Sequence, residues 1–406
     1  MVLVVNSGSS SIKFRLYKVV QGHLEIIAEG IAERIGLDGS LTIKANGIKD
    51  TWQHDFPNHL RAVETIIASL QNLQLINKPT DIEGIGFRVV HGTNKITKPI
   101  IIDQETKMII KEAAKLAPLH NPGALIAIEA FEKVIPQATL VAQFDTAFHQ
   151  TIPEVNFIYP VPYEWYQNHQ VRKYGFHGIS YQFITQKMAE ITGKASHKLN
   201  LIVCHLGNGA SVAAIKKGVS FDTTMGFTPL AGLMMGTRSG NIDPSILAYM
   251  GKELNLNLDE VTDLLNKKSG LLGLSQFSSD MRDIENEWKK GTKLPSLAYE
   301  KYVQIAADFI VTMANRIGEP IDALVFTAGI GENSPLIRQS IIMNLPLLNL
   351  VLDNNANHEK YQEWSKISAP TSKIPIYVVR TNEELMIAQE TIKLMTSQNK
   401  KLNNLV

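Results

Sequence analysis

Val2-Leu3-Val4-Val5-Asn6-Ser7-Gly8-Ser9-Ser10-Ser11-Ile12-Lys13-Phe14-Arg15-Leu16-Tyr17 opens the chain as an apolar run, a tight turn of small hydroxylated residues and a second apolar run. That pattern predicts a strand, a turn and a return strand. Small side chains let a ligand's phosphates approach the backbone N–H groups closely, and Asn6, Lys13 and the hydroxyls add donors. An ordinary Ser/Gly hairpin would read the same way if it occurred once. A second copy exists: Leu201–Cys204, then His205-Leu206-Gly207-Asn208-Gly209-Ala210-Ser211, then Val212–Ile215, with Lys216-Lys217-Gly218 turning into Val219–Phe221. The first copy continues alike, through Lys18 and Gly22 to Leu24–Ile27. The spacing is far too long for a solenoid. It implies two similar domains, each with a hairpin able to grip one end of a polyphosphate.

The 406 residues are enough for two or three domains, and 44% hydrophobic with 19% charged content is that of a globular chain. Forty basic residues against 39 acidic ones leave no field to draw nucleic acid or membrane, so any anionic ligand must be held by local charges. The single cysteine, Cys204, excludes an intrachain disulfide, fits a reducing compartment and, within an apolar run, reads as a buried thiol. No apolar stretch reaches the ~18 residues of a membrane span, and no basic segment precedes Val2–Val5 as in a signal peptide. A cytoplasmic location is expected.

Strand-like runs fall at Val2–Asn6, Ile12–Tyr17, Ile85–Val90, Thr139–Phe144, Leu201–Leu206, Ser211–Lys216, Ala323–Thr327 and Ile374–Arg380. Helical periodicity is clearest at Pro122–Val134, Ser180–Ile191, Asp259–Lys267, Pro295–Ile317, Pro335–Met343 and Glu383–Met395. Asn121-Pro122 and Ser334-Pro335 read as capped helix starts, Gly270 as a helix stop, and Ser397–Val406 as a frayed polar tail. Hairpins followed by helix–strand alternation predict an α/β fold with mixed sheets. The boundary is expected near Asp145–Pro153. Residues 1–148 then form one domain, completed by the C-terminal helix 384–406, and residues 149–383 the other.

The chain has no Walker A pattern, no HExxH and no paired CxxC, and its GxG runs do not complete a dinucleotide fingerprint. What remains are polar residues at the ends of apolar runs. Arg88, inside a strand, is either paired with a carboxylate or aimed into a cleft. Arg238, in Gly236-Thr237-Arg238-Ser239-Gly240, suits anion binding. His120 sits at a helix start, and His177 lies between Phe176 and Gly178. Asp145 ends a strand, where a carboxylate suits magnesium or ligand orientation. Thr327-Ala328-Gly329-Ile330-Gly331-Glu332-Asn333-Ser334-Pro335 is a strand ending in a glycine turn that opens a capped helix, a place for a nucleotide's phosphate or its base and ribose. Glu383 and Glu384 serve a metal or favour a helix N-terminus.

Together with Arg88–Gly92, Pro118–Pro122, Phe144–His149 and Met235–Gly240, these stretches resemble the acetate and propionate kinase family, within the actin-like/Hsp70/sugar-kinase superfamily, over essentially the whole length. The resemblance implies duplicated ribonuclease-H-like (actin-like ATPase) domains with ATP in an interdomain cleft. It also implies a homodimer and magnesium-dependent transfer, with manganese as a substitute, between ATP and acetate to give ADP and acetyl phosphate. By the same resemblance Arg88 and Arg238 grip acetate and the moving phosphoryl group, and His177 and His120 hydrogen-bond its oxygens. Asn6 and Asp145 orient phosphate and metal, with Glu383 helping to hold the metal. Lys13, His205, Leu206, Gly207, Asn208 and Gly209 would meet the nucleotide phosphates, and Asp280, Met281, Arg282 and Gly329, Ile330, Gly331, Glu332, Asn333 the nucleoside. Val90, Leu119, Phe176 and Pro229 match a small apolar pocket for the acetate methyl.

Elementary chemistry agrees with these roles. A carboxylate acceptor is ionised at neutral pH and needs no general base. The obstacle is two anions meeting, which arginines, histidines and magnesium relieve. Asp145 is then an orienter rather than a base, and transfer is direct and in line. Three positions depart from the pattern: Phe87 stands where histidine is expected, Ala328 where glycine is, and Asn241 where aspartate is common. Propionate as the preferred substrate is one alternative. An ATP-gated binding protein of the superfamily is another, disfavoured by the two arginines and by the lack of a peptide-binding segment. A histidine-based metal hydrolase lacks ligand spacing.

Overall fold

A computed structural model describes residues 1–118 and 120–403, with side chains through residue 398. The chain divides into two compact units, Met1–Phe148 together with the segment from Asn382 onward, and His149–Thr381. The first unit contains β1 (Val2–Ser7), β2 (Ser11–Val20), β3 (His23–Glu33), β4 (Asp38–Ala45), β5 (Ile48–Asp55), β6 (Gly84–Val89), β7 (Ile100–Ile101) and β8 (Thr139–Phe144). They form one sheet in the order β5-β4-β3-β2-β1-β6-β8-β7. The second unit contains β9 (Leu201–Leu206), β10 (Ala210–Lys216), β11 (Val219–Thr223), β12 (Ala323–Thr327), β13 (Trp364–Lys366) and β14 (Ile376–Val379), ordered β11-β10-β9-β12-β14-β13.

The two sheets share a plan. In β3-β2-β1-β6-β8 an antiparallel trio meets two parallel strands, and β11-β10-β9-β12-β14 repeats it. Both central strands are apolar on both faces, as a strand covered on both sides must be: β1 buries Val2–Val5 and β9 buries all six residues. One face of the first sheet is closed by helices His59–Asn72 and Asn121–Val134, which pack against each other. The other is closed by the C-terminal helix, which lies against β6, β1 and β8. Glycines on β6 permit its close approach: a Cβ on Gly86 would stand 2.5 Å from both Ile387 Cγ2 and Thr391 Oγ1. In the second unit helix Lys293–Ile317 packs on β10 and β11, and helix Gly178–Thr192 on β9.

Four local expectations change. Asn121 is not the cap of its helix. His120 holds that position, and the Asn121 amide is drawn inward, accepting from His91 N (3.1 Å) and donating to His91 O (2.9 Å) and Ile110 O (3.2 Å). Gly270 does not stop a helix but opens the next one, Gly270–Ser275, at φ +63°. The C-terminal helix runs from Glu383 through Asn403, so residues 397–403 are helical rather than frayed. The first sheet is also larger than expected, because β4 and β5 add a polar hairpin at its edge. Ser334 caps its helix as the sequence implies, accepting from Ile337 N at 3.0 Å. Cys204 is fully buried, which raises its thiol pKa.

Candidate functional site

In the first unit three parallel strands end side by side and bring acidic and basic groups together, the usual location of α/β sites. Asn6 lies near the end of β1, paired in register with Lys13. Arg88 lies on β6, and Asp145 follows β8 directly, its N–H donating to Val89 O at 3.0 Å. Arg88 donates through both arms of its fork to Asp145, Nε to Oδ1 at 3.1 Å and Nη2 to Oδ2 at 2.9 Å, and its Nη1 lies 3.0 Å from Glu383 Oε2. Of the two readings left open for Arg88, the paired one is observed. Glu383 begins the C-terminal helix, and its neighbour Glu384 is bound by Arg15 at 3.4 Å, which also holds Glu29 at 3.2 Å. Burial, then the net of Arg88 attraction against Asp145 and Glu384 repulsion, pushes the Glu383 carboxyl up to about 7. Asp145 and Glu383 thus share the guanidinium of Arg88.

The second unit assembles its groups differently. The β9–β10 turn, Gly207–Gly209, is followed in space by the loop Met235–Arg238, which Gly236 N→Asn208 O (3.0 Å) ties to it. Leu271 N→Met235 O (2.8 Å) and Ser269 N→Thr237 O (2.9 Å) brace the loop from behind. A Cβ on Gly209 would fall 2.9 Å from Arg238 Nη2 and 3.6 Å from His177 Nε2, so both groups converge on this glycine. Arg238 donates to Pro229 O at 2.8 Å and has no carboxylate partner among the described residues. Burial lowers its pKa, but a guanidinium stays charged. His177 stands before helix Gly178–Thr192 at φ +59°, with Nδ1 2.8 Å from Ser211 Oγ and its ring stacked on His205 at 4.1 Å. His205 itself faces inward, to Ser180 Oγ at 2.9 Å.

Beyond this turn lies a cavity of about 570 Å³. Of the residues expected to bind nucleotide, Gly207, Asn208, Asp280, Met281, Arg282, Gly329, Ile330 and Asn333 line it. Asp280 caps helix Met281–Lys289, accepting from Arg282 N at 2.9 Å, and its carboxylate is also engaged by the Arg282 guanidinium. His205, Leu206, Gly209, Gly331 and Glu332 are not in its wall, and Lys13 belongs to a separate cavity of about 610 Å³ in the first unit with Asn6, Arg15 and Glu384. The Glu332 carboxylate points to backbone instead, accepting from Ala328 N (2.9 Å) and Thr381 N (3.0 Å). Arg338, buried with no carboxylate partner among the described residues, donates to Gly331 O (2.8 Å), Glu332 O (3.0 Å) and Asn357 Oδ1 (2.7 Å), fixing the far end of the glycine turn. Ser279 and Ser334, at the edges of the two expected stretches, also line the cavity, and so does Glu285, which was not anticipated. Glu285 lies three residues past Arg282 and four past Met281, on one helix face, which was the available signal.

Of the apolar pocket residues, Phe176 is buried, Val90 and Pro229 are half-buried, and Leu119 lies outside the described residues. His120 is exposed at its helix start. Phe87 is buried edge-on against Phe131 at 5.7 Å. Asn241 accepts from Gly232 N (2.8 Å) and its own N–H donates to Gly232 O (3.0 Å), closing the loop that carries Arg238. Ala328 adopts φ +64°, where glycine is the relaxed residue.

The acetokinase family profile matches residues 1–389. The chain is 56% identical over 395 residues to the acetate kinase of Mesoplasma florum, covering 97% of this chain and 100% of that protein. The crystal structure of Porphyromonas gingivalis acetate kinase superposes with a TM-score of 0.92 at 39% identity, covering 97% of this chain and 99% of the other. A propionate kinase from Francisella tularensis gives 0.89 at 40% identity, with 97% and 99% covered. The chain belongs to the acetokinase family, whose members are phosphotransferases. Among the described residues no helix is long and apolar enough to cross a membrane.

Proposed function

We propose that the chain catalyses reversible phosphoryl transfer between ATP and acetate, giving ADP and acetyl phosphate. The observation that carries this reading is the convergence of Arg238 and His177 on Gly209, beside the cavity that begins at Gly207 and Asn208. A carboxylate oxygen attacks the terminal phosphorus, a new P–O bond forms, and the bridging P–O bond breaks with its electron pair leaving on ADP. No proton needs to move. Arg238, free of carboxylates, is the first clamp on the meeting anions, and His177 and His120 donate to phosphoryl oxygens. Arg88 has its fork on Asp145, so it contributes its charge chiefly by holding Asp145 and Glu383 in place. Val90, Leu119, Phe176 and Pro229 receive the methyl group.

The corner where Asp145 and Glu383 share Arg88 fits a hard divalent ion. Asp145, Glu383 and the Asn6 amide supply oxygen donors, and no group of three His/Cys/Asp/Glu among the described residues forms a complete cage. Such a set suits magnesium, which keeps waters and substrate phosphates as its other ligands. Bound there, magnesium would neutralise phosphate charge. A homodimer and a cytoplasmic location complete the reading.

Acyl phosphate trapped with hydroxylamine, from ATP and magnesium with acetate, propionate or butyrate, tests it. The signal is expected to be strongest with acetate. One extra CH₂ is worth only about 0.8 kcal/mol, so propionate should follow within roughly fourfold. A propionate maximum would keep the mechanism and change the substrate. No signal with any acid would overturn the reading.

A further inference from the structure

Two buried hydroxyls stand behind His177 in the second unit. Tyr181 lies one helical turn past His177, its N–H donating to His177 O at 3.0 Å. Ser211 comes from β10, opposite His205 of β9. Its Oγ is 2.8 Å from His177 Nδ1 and 2.5 Å from the Tyr181 hydroxyl. Tyr181 and Ser211 are fully buried, and the reaction proposed above uses neither. The other ring nitrogen, Nε2, lies on the Gly209 side, 3.6 Å from where a Cβ on that residue would stand.

Proton counting orders this chain. Ser211 has one proton for two neighbours. A phenol is a stronger acid and a poorer acceptor than an alkyl hydroxyl, so across the short contact Tyr181 donates to Ser211. Thr223 also approaches the phenol, but its hydroxyl is turned to Val212 O at 3.4 Å. The Ser211 proton is then directed to His177 Nδ1. A neutral imidazole that accepts on Nδ1 carries its own proton on Nε2.

We infer that Ser211, with its hydroxyl oriented by Tyr181, is a positioning residue that holds His177 as the tautomer whose Nε2–H meets the transferring phosphoryl group. The inference rests on the phosphoryl transfer proposed above. A phosphoryl oxygen can only accept, so the opposite tautomer would set lone pair against lone pair and forfeit the hydrogen bond. The stack of His177 on His205 fixes the plane of the ring but not its tautomer, which the two hydroxyls supply.

The test has a spectroscopic arm and a kinetic arm. In protein labelled with nitrogen-15 in its histidine rings, the two-bond proton–nitrogen pattern reports each tautomer, and His177→Gln assigns the His177 signals. Near pH 8, above the ordinary histidine pKa of about 6.5, the wild type is expected to show His177 protonated on Nε2 alone. Ser211→Ala, which leaves Nδ1 without a donor, should show both tautomers. Protonation on Nδ1 in the wild type, or an unchanged spectrum in Ser211→Ala, overturns the inference. Turnover should fall about tenfold in Ser211→Ala and about threefold in Tyr181→Phe, with KM for ATP and acetate within about twofold. Both effects should vanish when the same changes are made in His177→Gln, because the hydroxyls act through that ring. Equal losses in the two backgrounds would make the role structural and overturn the inference while leaving the transfer intact. A wild type that forms no acyl phosphate overturns the transfer reaction itself, and the inference with it.

Discussion

At the ends of β6 and β8 the first unit carries Arg88 and Asp145, whereas at the corresponding ends of β12 and β14 the second carries the Ala328-Gly329 turn and the backbone of Thr381. At these strand ends one scaffold is thus loaded with ionised side chains, the other with backbone N–H groups. The hairpins differ in the same sense. Gly8 of the first turn is engaged by its own unit, with Gly8 O 3.1 Å from His59 Nε2, while Gly207 and Asn208 of the second open on a cavity. A duplicated fold can therefore divide its labour: the strand ends of the first copy suit a metal, and those of the second suit a nucleoside.

The two arginines give the sharpest way to break that contrast. Arg238→Ala removes a guanidinium that donates to Pro229 O and meets no carboxylate among the described residues. Turnover is expected to fall by about a thousandfold with the urea midpoint nearly unchanged. Arg88→Ala leaves Asp145 and Glu383 as uncompensated buried charges, so it should lose turnover and also about 3–5 kcal/mol of stability. Paired activity and denaturation measurements decide this, and equal stability losses in the two variants would erase the distinction.

The pH response sharpens it further. Burial holds His149 of the second unit down to about 4, its Nε2–H donating to Phe176 O at 2.9 Å and its Nδ1 accepting from Ser220 at 2.7 Å. Its folded pKa lies below the unfolded value, so its contribution is full above pH 6.5 and is lost as pH falls toward 4. Glu383 of the first unit is raised to about 7, so its contribution is present below pH 4.5 and lost as pH rises through 7. The slopes oppose each other. His149→Gln should show a smaller drop in urea midpoint between pH 7 and 5 than the wild type, and Glu383→Gln a larger one. Parallel drops in all three proteins would refute the assignment.

The smallest expected effect is at the neutral turn itself. Ala328 holds a positive φ that costs an L-residue about 1 kcal/mol, and Ala328→Gly should recover most of it. A rise of a few degrees in melting temperature is the expected readout, and a fall would mean that the methyl packing near Gly207 outweighs the strain.

Much of this plan is legible in the sequence because its signals are local. The apolar runs of β1 and β9, the small turns after them, and the Ser334-Pro335 start each carry their own physics. Some local signals were there to read: Asn46-Gly47 between β4 and β5 has the dipeptide of a tight hairpin, both residues at positive φ. Helix His59–Asn72 buries Ala62, Val63, Ile66, Ile67 and Leu70 at helical spacing behind an Asn58 cap. What the sequence does not disclose is set by partners distant along the chain. Asn121 looks like a cap until His91 and Ile110 claim its amide. Glu332 sits in a nucleotide-like turn, yet Thr381 turns its carboxylate inward. Glu285 becomes notable only when Ser334 stands beside it.

The C-terminal helix has a consequence for biosynthesis. Its side chains Ile387 and Thr391 press onto the bare backbone of Gly86, closing a sheet whose strands are all made before Phe148. A ribosome must therefore deliver the whole second unit before the first can be sealed, a wait on the order of tens of seconds. Throughout that interval the nascent sheet shows an open apolar face. A holding chaperone, or the speed of the downstream codons, then has as large a stake in the yield of this protein as any contact in its finished core.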